Sequence, residues 1–224
     1  MKITWLGQAG LLFETGGLTI VIDPYLSNSC QRLNPDSFRR VPVDERFLKL
    51  KPDVIICTHN HQDHYDEETL QHYLTGEKAV TCLVAPSCFA PIRKYGAKHN
   101  YIWFAPHTQW TQGNVRFFSV RAVHSDPEAI GVLLEAEGKT YYVTGDTLYT
   151  TDIFADISPN LEAVSLPVNG LGNNMNLLDA LDFAQKTGAK KAVPLHRGML
   201  DDFCLAEFTA PNAVIPEIYK EIQL

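Results

Sequence analysis

Four consecutive apolar residues, Val54, Ile55, Ile56 and Cys57, run straight into Thr-His-Asn-His-Gln-Asp-His-Tyr-Asp over positions 58–66. An unbroken apolar run of that length is the pattern of a short strand covered on both faces. Asp66 with Glu67 and Glu68 then supplies an N-cap and first-turn acids for a helix through Leu74. The histidines therefore fall on the turn between a buried strand and a helix. Each neutral imidazole offers one lone pair and each ionised carboxylate one or two, so His59, His61, Asp63 and His64 can supply four ligands to a metal.

The rest of the chain alternates in a similar way. Strands are predicted at Lys2 to Leu6, Leu11 to Glu14 and Leu18 to Ile22, a β-meander whose second turn is Gly16-Gly17. Further strands are predicted at Thr81 to Ala85, Val115 to Val123, Ile130 to Ala136, Thr140 to Thr144, Ala163 to Leu166 and Ala192 to Pro194, with helices near Pro86 to Tyr95 and Leu177 to Thr187. Ser27 to Val43 is polar, with Pro35, Pro42 and three arginines, and reads as a long loop of the kind that borders a site. Strands followed by helices, then a hairpin-rich block with another helix and strand, imply packed sheets with helices outside.

Three more ligand-type residues stand where predicted strands end. His124 closes "FFSVRAVH", Asp146 follows "TYYVTG", and His196 follows "AVPL". Side chains at the ends of strands can converge on one sheet edge, and the recurrence of this placement is the strongest functional signal in the chain. His72, on a predicted helix, and His99 and His107, in polar connections, lack it and are assigned no role.

Composition limits the functions open to such a chain. With 224 residues, 45% hydrophobic and 20% charged, it is long enough for one globular domain spanning 1–224 with a sizeable core. Its apolar stretches are too short for a membrane span, and its start, "MKITWLGQAGLLFET", alternates like a strand where a signal peptide needs an unbroken apolar region. A formal net charge of -7 works against binding nucleic acid, which needs basic residues to displace phosphate counterions. Cys30, Cys57, Cys82, Cys88 and Cys204 are odd in number and scattered, indicating neither a disulfide framework nor a thiolate zinc site. A cytoplasmic protein acting on a small molecule is expected.

The motif "HNHQDH" resembles the His-x-His-x-Asp-His motif of the metallo-β-lactamase fold hydrolases, and His124, Asp146 and His196 match that family's remaining ligands in order. "WLGQAGLLFETGGLTIVIDPYLS" is similar to its N-terminal hairpin, so the resemblance covers nearly the whole chain. It implies an α+β fold, a four-layer αββα sandwich with the site at one edge between the sheets. It further implies two divalent cations, zinc by default with manganese also accommodated: His59, His61 and His124 around one, Asp63, His64 and His196 around the other, and Asp146 bridging. Asp63 and Asp146 are then the catalytic carboxylates, Asp63 also orienting a shared water. Asp23 in "VIDP" is the expected outer support for a ligand histidine, and Thr58 and Thr147 stand beside ligands as further donors.

Departures from sister families narrow the reading. His61 stands where the diiron flavoprotein branch has glutamate, and Asp146 where class B β-lactamases have cysteine. The basic arm and His-centred motif of the tRNA 3′-processing branch are missing. "VNGLGNNMN" and "VPLHRGM" are most similar to the branch containing L-ascorbate-6-phosphate lactonase, which implies a homo-oligomer and a lactone, ester or phosphoester substrate. Gln8 stands where many members of that branch carry histidine. Asn169 and Arg197 are the expected substrate contacts, Arg197 as the cation for an anionic group. The competing readings are a phosphodiesterase or nuclease of the same fold, and a metal-binding sensor or structural protein without turnover.

Overall fold

A computed structural model of the protein describes residues 1–157 and 160–224. The chain opens with the predicted meander: β1 (Lys2–Gly7), β2 (Gly10–Thr15) and β3 (Leu18–Ile22), all antiparallel, with Thr15 paired to Leu18 across the Gly16-Gly17 turn. β3 then pairs in parallel with β4 (Val54–Cys57), followed by β5 (Thr81–Val84) and β6 (Asn100–Trp103). The second sheet begins antiparallel, through β7 (Gln109–Gln112), β8 (Val115–Arg121), β9 (Ile130–Ala136) and β10 (Lys139–Val143). It ends in parallel with β11 (Leu161–Pro167) and β12 (Lys191–Leu195). Among the described residues each sheet has six strands, laid side by side in chain order.

Strand direction follows from this pairing. Two antiparallel steps return the chain to its starting sense, so β1, β3 and β4 share one direction, as do β8, β10, β11 and β12. Their C-terminal ends meet where the sheets touch: Ile130 N donates to Thr58 O at 3.0 Å, and His196 N to Gln8 O at 3.1 Å. Every predicted ligand follows one of these ends.

The inner faces share one apolar core, with Phe13 and Tyr141 meeting edge to face across the sheets at 6.2 Å between ring centres. Helices α3 (Glu67–Leu74), capped by Asp66, and α4 (Pro86–Ile92) lie over the first sheet. Helix α5 (Leu177–Thr187), capped by Asn176, lies over the second with Phe183 buried against Tyr142. This is the αββα sandwich. Beyond β12 the chain folds back, Val214 N donating to Ala192 O at 2.8 Å and Ile222 N to Ile3 O at 2.7 Å. The tail thereby covers the β12 and β1 edges, which would otherwise offer unpaired backbone to another strand.

Four elements differ from the sequence reading. The loop after Ser27 contains the short helix α1 (Cys30–Leu33), and α2 (Glu45–Leu48) follows it. β6 and β7 are edge strands of four residues with half-exposed side chains; β7 is largely polar, while in β6 Tyr101, Ile102 and Trp103 run consecutively, so neither shows a strand's alternation over a useful length. His99, assigned to a polar connection, is buried beside β6, with Nδ1 accepting from Val80 N and Nε2 donating to Leu74 O. Among the described residues no helix is long and apolar enough to cross a membrane.

Candidate metal centre

The turn after β4 is held from below by Asp23, a fully buried carboxylate at the end of β3. Asp23 Oδ1 accepts from Thr58 N at 2.8 Å, and Oδ2 accepts from Thr58 Oγ1 at 2.6 Å and from His64 Nδ1 at 2.9 Å. Thr58 Oγ1 spends its proton on Asp23, so its lone pair accepts from His59 Nδ1 at 3.1 Å. Both rings therefore carry the Nδ1–H tautomer and turn the Nε2 lone pair inward. His59 Nε2 is buried and has no hydrogen-bond partner in the protein.

The second sheet closes the ring of donors. His124 Nδ1 donates to Asn173 O at 3.1 Å, which leaves its Nε2 lone pair 3.1 Å from His61 Nδ1. Asp146 Oδ2 lies 3.0 Å from His196 Nε2, 3.3 Å from His64 Nε2 and 3.9 Å from His124 Nε2. Asp63 Oδ2 lies 3.1 Å from His196 Nε2 and 3.7 Å from His64 Nε2. The donor atoms form three overlapping groups, each within 4.8 Å: His59, His61 and His124; His59, His64 and Asp146; Asp63, His64 and His196. Asp146 sits between the outer two, and its Oδ1 is buried without a partner. Orphaned buried acceptors cost free energy unless something fills them. A nitrogen-rich set with two carboxylates suits borderline divalent cations such as zinc, so these residues fit a metal centre.

Electrostatics agree with that fit. Burial holds His59 well below the ordinary histidine range, reinforced by His64, and it lowers His124 in the same way. Burial also opposes charge on His64, but Asp146, Asp63 and Asp23 outweigh it and raise its pKa. His196 is likewise pushed up to about 10 by Asp146 and Asp63 against its burial. Burial would raise Asp63 and Asp146, yet His64 and His196 keep both below the carboxylate range. Two histidines and two carboxylates thus face one another at 3.0–3.7 Å, an arrangement that a divalent cation would neutralise.

Several supporting residues escaped the sequence reading. Gln8 Nε2 donates to Asp63 Oδ2 at 2.8 Å and lies 3.1 Å from His196 Nδ1, with Gln8 Oε1 buried and unpartnered. Asn174, read as a turn former, donates from Nδ2 to Asp146 Oδ2 at 2.9 Å. Asp126 accepts from Asn60 N and Ser87 Oγ, tying the His59–His61 turn to the segment that carries His124. Gln8, Asp23, Asn173 and His196 all have positive φ, a strained backbone conformation concentrated at this site. Two carried a visible signal: Gln8, standing where many members of the lactonase branch carry histidine, and "HSD", which sets Asp126 two residues from a ligand.

An open cleft of ≈ 430 Å³ stands above the ligands, lined by His61, Asp63, Asp146 and His196 at its floor. Asn169 lines it, with Nδ2 3.0 Å from His196 Nδ1. Arg197 does not. Its Nη1 is 3.0 Å from Glu207 Oε2 and its guanidinium lies over the Phe203 ring, so the expected cation for a substrate anion is turned away. The 3₁₀ turn Leu205–Glu207, with no signal in the sequence, captures it. Thr147 supports the ligands indirectly, its Oγ1 accepting from Val123 N beside His124.

Comparison with known proteins agrees with this geometry. The family model of the beta-lactamase superfamily domain matches residues 19–197. A UPF0173 metal-dependent hydrolase from Geobacillus sp. strain WCH70 is 30% identical over 211 residues, covering 88% of this chain and 85% of that protein. Among solved structures, Igni18, a metallo hydrolase from Ignicoccus hospitalis, superposes with TM-score 0.78 at 17% identity, covering 99% of this chain and 97% of that one. The metallo-beta-lactamase fold protein YhfI from Bacillus subtilis gives TM-score 0.73 at 20% identity, covering 97% of each chain. The chain belongs to the beta-lactamase superfamily, as a metal-dependent hydrolase of the metallo-β-lactamase fold.

Proposed function

We propose that the protein hydrolyses a small ester, lactone or phosphoester using two divalent cations, zinc or manganese, held by its seven ligand side chains. His59, His61 and His124 would hold one and Asp63, His64 and His196 the other, with Asp146 between them. The observation that carries this reading is the convergence of these donors around two buried acceptors, His59 Nε2 and Asp146 Oδ1, that nothing in the protein satisfies.

Bound there, the cations would bring the pKa of a shared water towards neutrality and polarise the oxygen of the scissile group. The protein's residues direct that chemistry. Asp63, at the cleft floor, orients the water through its carboxylate, and Gln8 Nε2 fixes the carboxylate at Oδ2. Asp23, Thr58 and the Asn173 carbonyl fix the outer N–H of His64, His59 and His124, so that each inner lone pair stays aimed. Five free thiols, four of them buried, support a reducing, cytoplasmic setting.

Elemental analysis of wild type beside Asp146→Ala and His61→Ala tests the reading. About two zinc or manganese ions per chain are expected in wild type, reduced in both variants together with loss of hydrolysis. One ion or none after reconstitution, or full activity in the variants, overturns it.

A further inference from the structure

Above its floor of histidines and aspartates, the cleft wall changes character. Leu33 on α1, Leu171 on the loop after β11, and Leu200 after β12 line it, with Cys30 beneath. Leu33 is 74% exposed and Leu171 54% exposed, so both hold apolar area in water beside the ligands. Apolar surface kept at the mouth of a polar site is area that a ligand's apolar part would cover.

Charge at this mouth points the same way. Among the described residues lining the cleft there is no lysine or arginine, while Asp201 joins Asp63 and Asp146. The nearby arginines are engaged elsewhere. Arg197 pairs with Glu207, and Arg40 with Asp202 and the carbonyls of Asp36, Phe38 and Leu200. Arg39 donates to the carbonyls of Tyr25 and Val41 and to Tyr219 Oη, and Arg32 pairs with Glu68. Cations on the floor would serve the scissile group; a second anionic group at the rim would lie beside carboxylates with no cationic partner, only neutral donors such as Asn34, Ser37 and Gln62.

On the hydrolase reading above, we infer that the substrate is an ester or lactone, uncharged away from the bond that is broken, and bearing an alkyl or aryl substituent that Leu33, Leu171 and Leu200 receive. The balance is that of simple hydrolysis. The water oxygen joins the carbonyl carbon, the acyl C–O bond breaks, one water proton goes to the departing alkoxide oxygen, and the other leaves with the ionising carboxylic acid. The three leucines act on specificity and do not touch the reacting atoms.

The test compares δ-decalactone, glucono-δ-lactone and 6-phosphoglucono-δ-lactone with the metal-loaded protein, in wild type and in the Leu33→Ser/Leu171→Ser double variant. The expected order of kcat/KM is decalactone first and the phosphorylated lactone last. The double variant should raise KM for decalactone about 10-fold, the scale of discrimination in an apolar pocket, and narrow its lead over glucono-δ-lactone. Preference for the phosphorylated lactone, or an unchanged KM for decalactone in the variant, overturns the inference while leaving the hydrolase intact.

Saturation-transfer NMR with hexanamide and hexyl phosphate separates binding from turnover. Hexanamide saturated through its alkyl chain in wild type and lost in the double variant supports the apolar subsite, even if no lactone is hydrolysed and the hydrolase reading fails. Equal saturation of hexanamide in both proteins, or none in either, overturns it.

Discussion

Gln8 joins two ligands that the chain delivers from far apart, Asp63 and His196, through one amide nitrogen. Losing an outer hydrogen bond of this kind typically weakens metal binding 10–100-fold. Gln8→Ala should therefore lower the affinity for one of two cations by roughly that factor, leaving the other unchanged in a chelator competition; equal affinity at both positions would show that the amide orients nothing. His99 makes a different case. Burial, with a smaller contribution from Lys98, lowers its pKa from the ordinary 6.5. A histidine depressed in the folded state stabilises the fold above its unfolded pKa, and the contribution is lost as pH falls. His99→Gln should flatten the acid side of the stability profile in denaturant titrations at stepped pH, without lowering metal content. His72, exposed on α3, should change neither when replaced by alanine.

At the level of elements, the loop between β11 and α5 carries no ligand but touches three. Asn169 lies against His196, the Asn173 carbonyl takes the His124 proton, and Asn174 meets Asp146, so one segment ties together ligands from the ends of β8, β10 and β12. The approach of β10 to the opposite sheet depends on Gly145. At φ +61, a Cβ there would stand 2.6 Å from Ile130 O and 3.1 Å from Thr58 Cβ. Gly145→Ala adds left-handed strain to a backbone clash and should destabilise the protein by on the order of 2–3 kcal/mol, read by urea denaturation. It should also loosen metal binding, because Asp146 is the next residue. A variant as stable as wild type would mean that the sheets can separate there at little cost.

Across the whole molecule, the two sheets share one apolar core and the ligand side chains lie outside it, at the sheets' edge. The metal-free protein should therefore remain folded, since none of the seven ligands belongs to that core. Adding zinc at about 100 times its dissociation constant should stabilise it by about 2.7 kcal/mol. Chelation is expected to lower the midpoint of thermal unfolding while leaving the far-ultraviolet circular dichroism unchanged. Collapse of the dichroism on chelation would instead make the metal part of the folding nucleus of the sandwich.

The local sequence by itself determined the apolar strands, the meander, the capped helices, and the placing of His59, His61, Asp63, His64, His124, Asp146 and His196 at strand ends. Those features rest on periodicity and on the side chain's own chemistry, which neighbouring residues express directly. Asp23, just past the end of β3, was legible only through the resemblance of "VIDP" to the family's N-terminal element. Tertiary structure alone decided which strand ends meet, because strand direction depends on pairing between distant segments. It likewise decided that Gln8 and Asn174 face ligands, that Asp126 braces the turn at Asn60, that Arg197 turns to Glu207, and that β6 and β7 form at the sheet edges. A polar side chain's partner is set by what the fold brings within about 3 Å, and no local pattern carries that information.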